Sequence, residues 1–191
     1  YIIKNDILYR LLSKKLIKKK FYKKKIIKNN NFYKKILKEN NYNLIINCDS
    51  KNFIAKKYFL KKIEKKYNNF AYTAILNHKK IKNNTATQIF SKHGPIAFLP
   101  ISNSETSVVY SVDVTKNVYN KEKIISLIKK HNPQYTIKKI SNLNKFELKS
   151  SNPRSYYYKN IVAFGDCLHK IHPLAGQGFN MTIRDIKIFS N

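Results

Sequence analysis

Gly165-Asp166-Cys167-Leu168-His169-Lys170-Ile171-His172-Pro173-Leu174-Ala175-Gly176-Gln177-Gly178-Phe179-Asn180 is the stretch on which the fold turns. It follows the apolar run Ile161-Val162-Ala163-Phe164, which reads as a buried strand, and it leads into Phe179, Ile183, Ile186 and Phe189, which mark one face of a helix. Three of the four glycines of the chain, Gly165, Gly176 and Gly178, fall inside it. Glycine serves where backbone turns sharply or lets a ligand come close. An acidic side chain at the carboxyl end of a strand can accept hydrogen bonds from sugar-like hydroxyls, and free amides at the start of the next helix can hold an electron-rich oxygen. Strand, Gly-Asp turn, glycine-bearing loop and helix thus make a site for a ligand of that chemistry.

Upstream, Asn43-Leu44-Ile45-Ile46-Asn47-Cys48 forms a second short buried strand ending at Asp49. Asp49 is equally well read as a turn residue or as a ligand contact at this point. An opening helix is expected over Ile7, Leu8, Leu11, Leu12 and Leu16, capped by Asn5 or Asp6, and a further helix over residues 52–66. Residues 70–76, 85–90, 96–99 and 106–114 read as strands separated by Asn, Gly and Pro, so a mostly antiparallel sheet is expected in the middle. Residues 121–130 read as a surface helix stopped before Pro133, with short extended pieces continuing to about Tyr158.

The chain has 191 residues, 42% hydrophobic and 13% aromatic, enough to bury a sizeable core. Its net charge of +29 raises the alternative of a basic protein binding nucleic acid or anionic lipid. Lysine carries almost all of that charge, with Arg10, Arg154 and Arg184 the sole arginines, although the guanidinium fork is the preferred reader of phosphates and bases. Lys, Asn, Ile, Tyr and Phe share A/T-rich codons, so a biased genome accounts for the pattern and no specific nucleic-acid partner is expected. No run approaches the roughly 20 apolar residues that span a bilayer, and no secretion signal is visible at the start. Cys48 and Cys167 are too few for a disulfide framework, which suits a reducing, cytoplasmic setting. Cys167-x-His169-x-x-His172 matches no standard metal-site spacing, and each cysteine follows an apolar strand, where an inert thiol is the ordinary outcome. No metal and no covalent nucleophile are expected.

The 165–180 block, with Arg184-Asp185 after it, resembles the second FAD motif of the ubiquinone-biosynthesis hydroxylases, which share the p-hydroxybenzoate hydroxylase fold. Leu44 to Lys57, with Asp49, is similar to the Asp-Gly segment of that family, although Ser50 stands where its glycine is expected. Thr85 to Phe90 and His93-Gly94-Pro95-Ile96-Ala97-Phe98-Leu99-Pro100 resemble its middle-sheet block. Cys167 and Leu168 replace small residues usual there. The resemblance implies a mixed α/β (α+β) fold: a partial FAD-binding domain over residues 1–66, an antiparallel-sheet substrate domain over 67–153, and the second FAD motif with its helix over 154–191. It implies that FAD is held by Gly165, Asp166, Pro173, Ala175, Gly176, Gln177, Gly178 and Asn180, with Asp49 beside them, and that Asp166 meets the ribityl chain.

The activity so implied is a monooxygenase using FAD, NAD(P)H and O2 to hydroxylate a polyprenyl phenol, with peripheral association at the inner membrane or in a ubiquinone-biosynthesis complex. A related flavin hydroxylase of another aromatic substrate is the neighbouring alternative. No Gly-x-Gly-x-x-Gly fingerprint appears, so the chain reads as an internal fragment that is inactive alone and binds FAD weakly without that pyrophosphate-holding segment.

Overall fold

The computed structural model describes residues 4–27, 29–39, 41–115, 118–170 and 177–191, without the side chain of Gln177. They divide into two units: residues 1–23 with 68–147, and residues 24–67 with 148–191.

The first unit is built on an antiparallel sheet. Its strands are β2 (Lys62–His78, entering this unit at Asn68), β3 (Thr87–Ser91), β4 (Gly94–Ser102), β5 (Glu105–Asp113) and β6 (Ile137–Ile140), in the order β3-β4-β5-β2-β6. β5 lies against β2 from Asn69↔Asp113 to Asn77↔Glu105, and against β4 with Ile96 opposite Tyr110. Alternation decides the buried face: Tyr72, Ala74 and Leu76 of β2, Ile96 and Phe98 of β4, and Val108, Tyr110 and Val112 of β5 are all buried. Helix α4 (Lys121–Lys130), numbered after α1 to α3 below, packs Ile124 and Ile128, one turn apart, into the same cluster. Its start is fixed by Asn120, whose side chain accepts from the Lys123 N–H at 2.9 Å. Each such side chain contributes about 1.5–3 kcal/mol by leaving water.

Gly94 opens β4 at φ +127°, and a Cβ there would sit 2.1 Å from the Ser111 carbonyl oxygen, so no other residue fits this turn. Helix α1 (Asn5–Ile17) also belongs to this unit. The expected caps do not act: Lys4 occupies the cap position without a side-chain hydrogen bond, its amine instead meets Glu105 at 3.0 Å, and Asp6 pairs with Arg10 along the helix.

The second unit has a small sheet in the order β1-β9-β8: β1 (Ile45–Asn47) runs parallel to β9 (Ile161–Ala163), and β8 (Tyr157–Tyr158) is antiparallel to it. Helices α2 (Asn30–Glu39), α3 (Phe53–Tyr58) and α5 (Gln177–Phe189) accompany it. The core joins Ile54 and Ala55 of α3 and Phe59 just after it to Ile161, Ala163 and Cys167, with Tyr33 and Leu37 of α2 packed against them.

The expected helix over 52–66 is corrected here: it stops at Tyr58, and β2 begins at Lys62. Backbone pairing with β7 (Asn144–Pro153) and the Arg154 N–H, which donates to the Lys61 carbonyl, hold this lysine-rich stretch extended. Ile63 and Tyr67 are four residues apart, a spacing that helix and strand both accommodate, so pairing rather than periodicity decides for the strand. Helix α2, in contrast, is not among the expected elements: Phe32, Tyr33, Ile36 and Leu37 make one apolar face, but the lysine-rich sequence around it obscures the period.

Candidate functional site

The site grows from two parallel strand ends. β1 and β9 are in register from Ile45↔Ile161 to Asn47↔Ala163, so Asp49 and Gly165-Asp166 leave the same, carboxyl edge of the sheet. Phe164 N–H donates to the Asn47 carbonyl at 2.9 Å and extends that alignment one residue further. In parallel α/β sheets this edge, where neighbouring strands send their chains apart, is where ligands bind.

Gly165 turns the chain. It takes φ +55°, the left-handed region, and opens the single 3-10 turn Gly165–Cys167. Its carbonyl accepts from both Leu168 N–H at 3.0 Å and His169 N–H at 2.8 Å. A Cβ at Gly165 would lie 3.9 Å from Cys48 Cβ and Thr182 Cγ2, ordinary contact, so backbone conformation rather than crowding selects glycine. The turn leaves Asp166 exposed while its neighbours Gly165 and Cys167 are buried. Among the described residues no ion pair engages the Asp166 carboxylate, so it is available to a ligand hydroxyl.

Asp49 is differently occupied. Its Oδ1 accepts the Lys51 N–H at 2.8 Å, the local turn expected of an aspartate at a strand end, while the residue stays exposed. Its second oxygen faces no described partner in an ion pair. Behind it lies a set of contacts that sequence reasoning missed. Asn47, 4% exposed, donates to the Asp49 carbonyl at 3.1 Å and to Cys167 Sγ at 3.4 Å, and accepts from the Asn52 amide. Asn52 in turn caps α3 by accepting the Ala55 N–H at 2.9 Å. One buried asparagine thus ties β1, the Asp49 turn, α3 and the Gly165 turn together. The Asn47-x-Asp49-x-x-Asn52 spacing was the available signal, since Asn and Asp favour exactly such side-chain-to-backbone bonds near turns.

The two thiols are not poised for chemistry. Burial raises the pKa of Cys167, against a smaller downward pull from the Asn47 hydrogen bond, and the protonated thiol is the stable form. Cys48 is raised too, first by the partial burial of its sulfur and then by the Asp166 carboxylate. His169 stands with Nε2 3.0 Å from Asp185 Oδ2, so Cys167 and His169 have separate partners. Gln177, Gly178 and Asn180 occupy the first turn of α5. Pro173, Ala175 and Gly176, together with His172, lie outside the described residues. The tyrosine cluster forms an exposed edge: Tyr157 and Tyr158 make up β8, and Tyr158 stacks on Tyr58 with centroids 4.5 Å apart. A hollow of about 530 Å³ lined by Tyr42, Tyr58, Tyr158 and Lys159 lies at the amino ends of β1 and β9, away from the carboxylates.

Residues 45–189 match the FAD binding domain family. The chain belongs to that family. The match begins at β1 and ends with α5, so both carboxyl-edge aspartates and their turns fall within it. Among curated relatives, the chain is similar to the mitochondrial ubiquinone biosynthesis monooxygenase COQ6 of Xenopus tropicalis, 26% identical over 184 residues, covering 75% of this chain and 40% of that protein. It is also similar to the 3-demethoxyubiquinol 3-hydroxylase of Escherichia coli, 32% identical over 106 residues, covering 52% of this chain and 27% of that one. The chain therefore spans less than half the length of these relatives. Solved structures share the fold: BrvH, a flavin-dependent halogenase from Brevundimonas, at TM-score 0.59 and 10% identity, covers 76% of this chain and 30% of its own. CabE, an aromatic hydroxylase from angucycline biosynthesis, gives TM-score 0.53 and 13% identity, with 74% and 30% covered.

The residues present fit FAD by the chemistry of their donors. An exposed carboxylate on a left-handed glycine turn can accept from polyol hydroxyls, and the first turn of α5, which follows in the chain at Gln177, carries free backbone N–H groups.

Proposed function

We propose that the protein carrying this chain is a flavin monooxygenase that hydroxylates the ring of a polyprenyl phenol, with FAD as cofactor, NAD(P)H as reductant and O2 as co-substrate. The observation that carries the reading is the exposed Asp166 on the Gly165 turn at the end of β9, inside an FAD-binding match that begins at β1. The substrate class comes from the two curated relatives, both named for ubiquinone chemistry.

FAD, when bound, supplies the redox and oxygen chemistry that no protein side chain provides. Asp166 accepts hydrogen bonds from the ribityl hydroxyls, and Gly165 lets the backbone turn so that this carboxylate faces outward. The first turn of α5, with Gln177, Gly178 and Asn180, offers amides to the electron-rich oxygens of the flavin ring. Pro173, Ala175 and Gly176 belong to the same proposed FAD-binding segment. Asp49 borders the site and holds its own turn at the neighbouring strand end. The antiparallel sheet of the first unit is the substrate portion, and residues 24–67 with 148–191 the flavin portion. An apolar prenyl tail resides in lipid, so peripheral contact with a membrane surface or a biosynthetic complex is part of the proposal; among the described residues no helix is long and apolar enough to cross a membrane.

The test is purification of the full-length gene product, with its absorption spectrum and turnover of a short-chain prenylated phenol under NADH or NADPH. A flavin spectrum with ring hydroxylation supports the reading. A colourless protein that neither binds added FAD nor turns over the phenol refutes it.

A further inference from the structure

The Asp166 turn and α5 meet along one helical face, at positions 182, 185 and 189. Thr182 Cγ2 lies against Gly165, and Phe189 meets Phe164 edge to face with centroids 6.0 Å apart. Between these two apolar contacts sits a polar one: Asp185 Oδ2 is 3.0 Å from His169 Nε2, with the side chains 25% and 21% exposed. Asp185 Oδ2 is itself buried, and it stands at ion-pair distance without the alignment of a good hydrogen bond. His169 rises from a fixed base. Its N–H donates to the Gly165 carbonyl at 2.8 Å, and the next residue, Lys170, is bridged on both sides to Ser151 of β7.

A partly buried polar pair is a poor device for stability, because desolvating its groups offsets most of their attraction, and an apolar pair in the same place would pack as well. What such a pair does provide is direction: it favours one seating of the helix over its neighbours a fraction of a turn away. We propose that His169 and Asp185 are a positioning pair, setting α5 against the Asp166 turn so that the carboxylate of Asp166 and the first turn of α5 face one bound flavin together. This rests on the FAD reading of the same site. Neither residue touches the flavin; both act through the elements they join.

The experiment measures FAD affinity by fluorescence quenching in the full-length protein for His169→Ala, Asp185→Ala, the double variant, and the conservative His169→Gln and Asp185→Asn. The melting temperature of each apo-protein is recorded alongside, with Asp166→Ala as reference. Each alanine variant is expected to bind FAD about tenfold more weakly, since a partly buried polar contact is worth on the order of one tenfold step. The double variant is expected to be no weaker than either single, the conservative variants to recover most of the affinity, and the apo-protein melting temperatures to stay close to the parent. Additive losses, affinities equal to the parent, or losses that simply follow a fall in melting temperature overturn the pairing. If Asp166→Ala weakens FAD while the His169 and Asp185 variants do not, the positioning role alone fails. If Asp166→Ala binds as the parent does, the flavin reading fails and this proposal falls with it.

Discussion

The two units use buried polarity in opposite ways. In the first, polar groups inside the sheet are consumed by one another. Asn83 donates to Thr106 Oγ1 at 2.9 Å and to the Ser102 carbonyl at 2.7 Å, and accepts from Tyr135 Oη at 3.0 Å. His78, 2% exposed, contacts Thr106 Oγ1 and the Lys79 carbonyl. The carbonyl can only accept, so His78 donates to it from Nδ1. These groups satisfy one another inside the sheet. In the second unit Asn47 plays the same internal part, but the carboxylate it helps to place, Asp166, is exposed at a strand end. Closed polar networks specify a fold; polar groups left with capacity at the carboxyl edge of a parallel sheet specify a function.

That contrast can be broken first at the core. Tyr110→Ala, at a fully buried position opposite Ile96, is expected to cost about 3–5 kcal/mol through the cavity it leaves, read as a lowered denaturation midpoint. A loss below about 1 kcal/mol would mean that the sheet is not the structural centre of its unit. Asn83→Ala strands the Tyr135 hydroxyl and the Ser102 carbonyl and is expected to cost about 1–3 kcal/mol of stability by the same measurement. If that substitution were silent, the closed network would carry no weight and the contrast would lose one side.

The smallest effect concerns His93, whose Nδ1 faces Tyr119 Oη at 3.0 Å. Desolvation first, then the positive charges of Lys92 and Lys123, lower its pKa, while desolvation raises that of Tyr119 and keeps the phenol protonated to donate. A histidine depressed in the folded state favours its neutral form there. Its contribution to stability is complete above the ordinary histidine range and is lost as the pH falls from that range toward the depressed folded value. Titration followed by NMR is expected to show a midpoint below the ordinary value, rising partly toward it as salt screens the lysines. A midpoint above the ordinary value would contradict the environment described.

Much of this was legible in the residues, for reasons that differ by element. Residues 121–130 have a clean apolar face at Ile124 and Ile128, so the helix boundaries read directly. The central parts of β4 and β5 alternate between buried and half-buried positions, and the two strands are bounded by Gly94 and Asp113. The stretch 62–67 failed because lysines populate exposed positions of strand and helix alike, and its pairing with β7 comes from far along the chain. At the site, the Gly165-Asp166 turn was readable from glycine placement in a glycine-poor chain. The Asn47–Cys167 and His169–Asp185 contacts were not, because both depend on which strand ends and helix face come together, and separations of 120 and 16 residues carry no periodic signal.

The central claim is that Asp166 holds a ligand rather than the fold. In the full-length protein, FAD dissociation is followed by flavin fluorescence for the parent, Asp166→Ala and Cys167→Ala. Asp166→Ala is expected to lose a charge-assisted hydrogen bond of about 1.5–3 kcal/mol, a roughly ten- to hundredfold loss of affinity, with the melting temperature of the apo-protein little changed. Cys167→Ala, which removes a buried protonated thiol, is expected to keep the parent's flavin affinity. Equal FAD affinity for Asp166→Ala and the parent, or a collapse confined to Cys167→Ala, would contradict the claim.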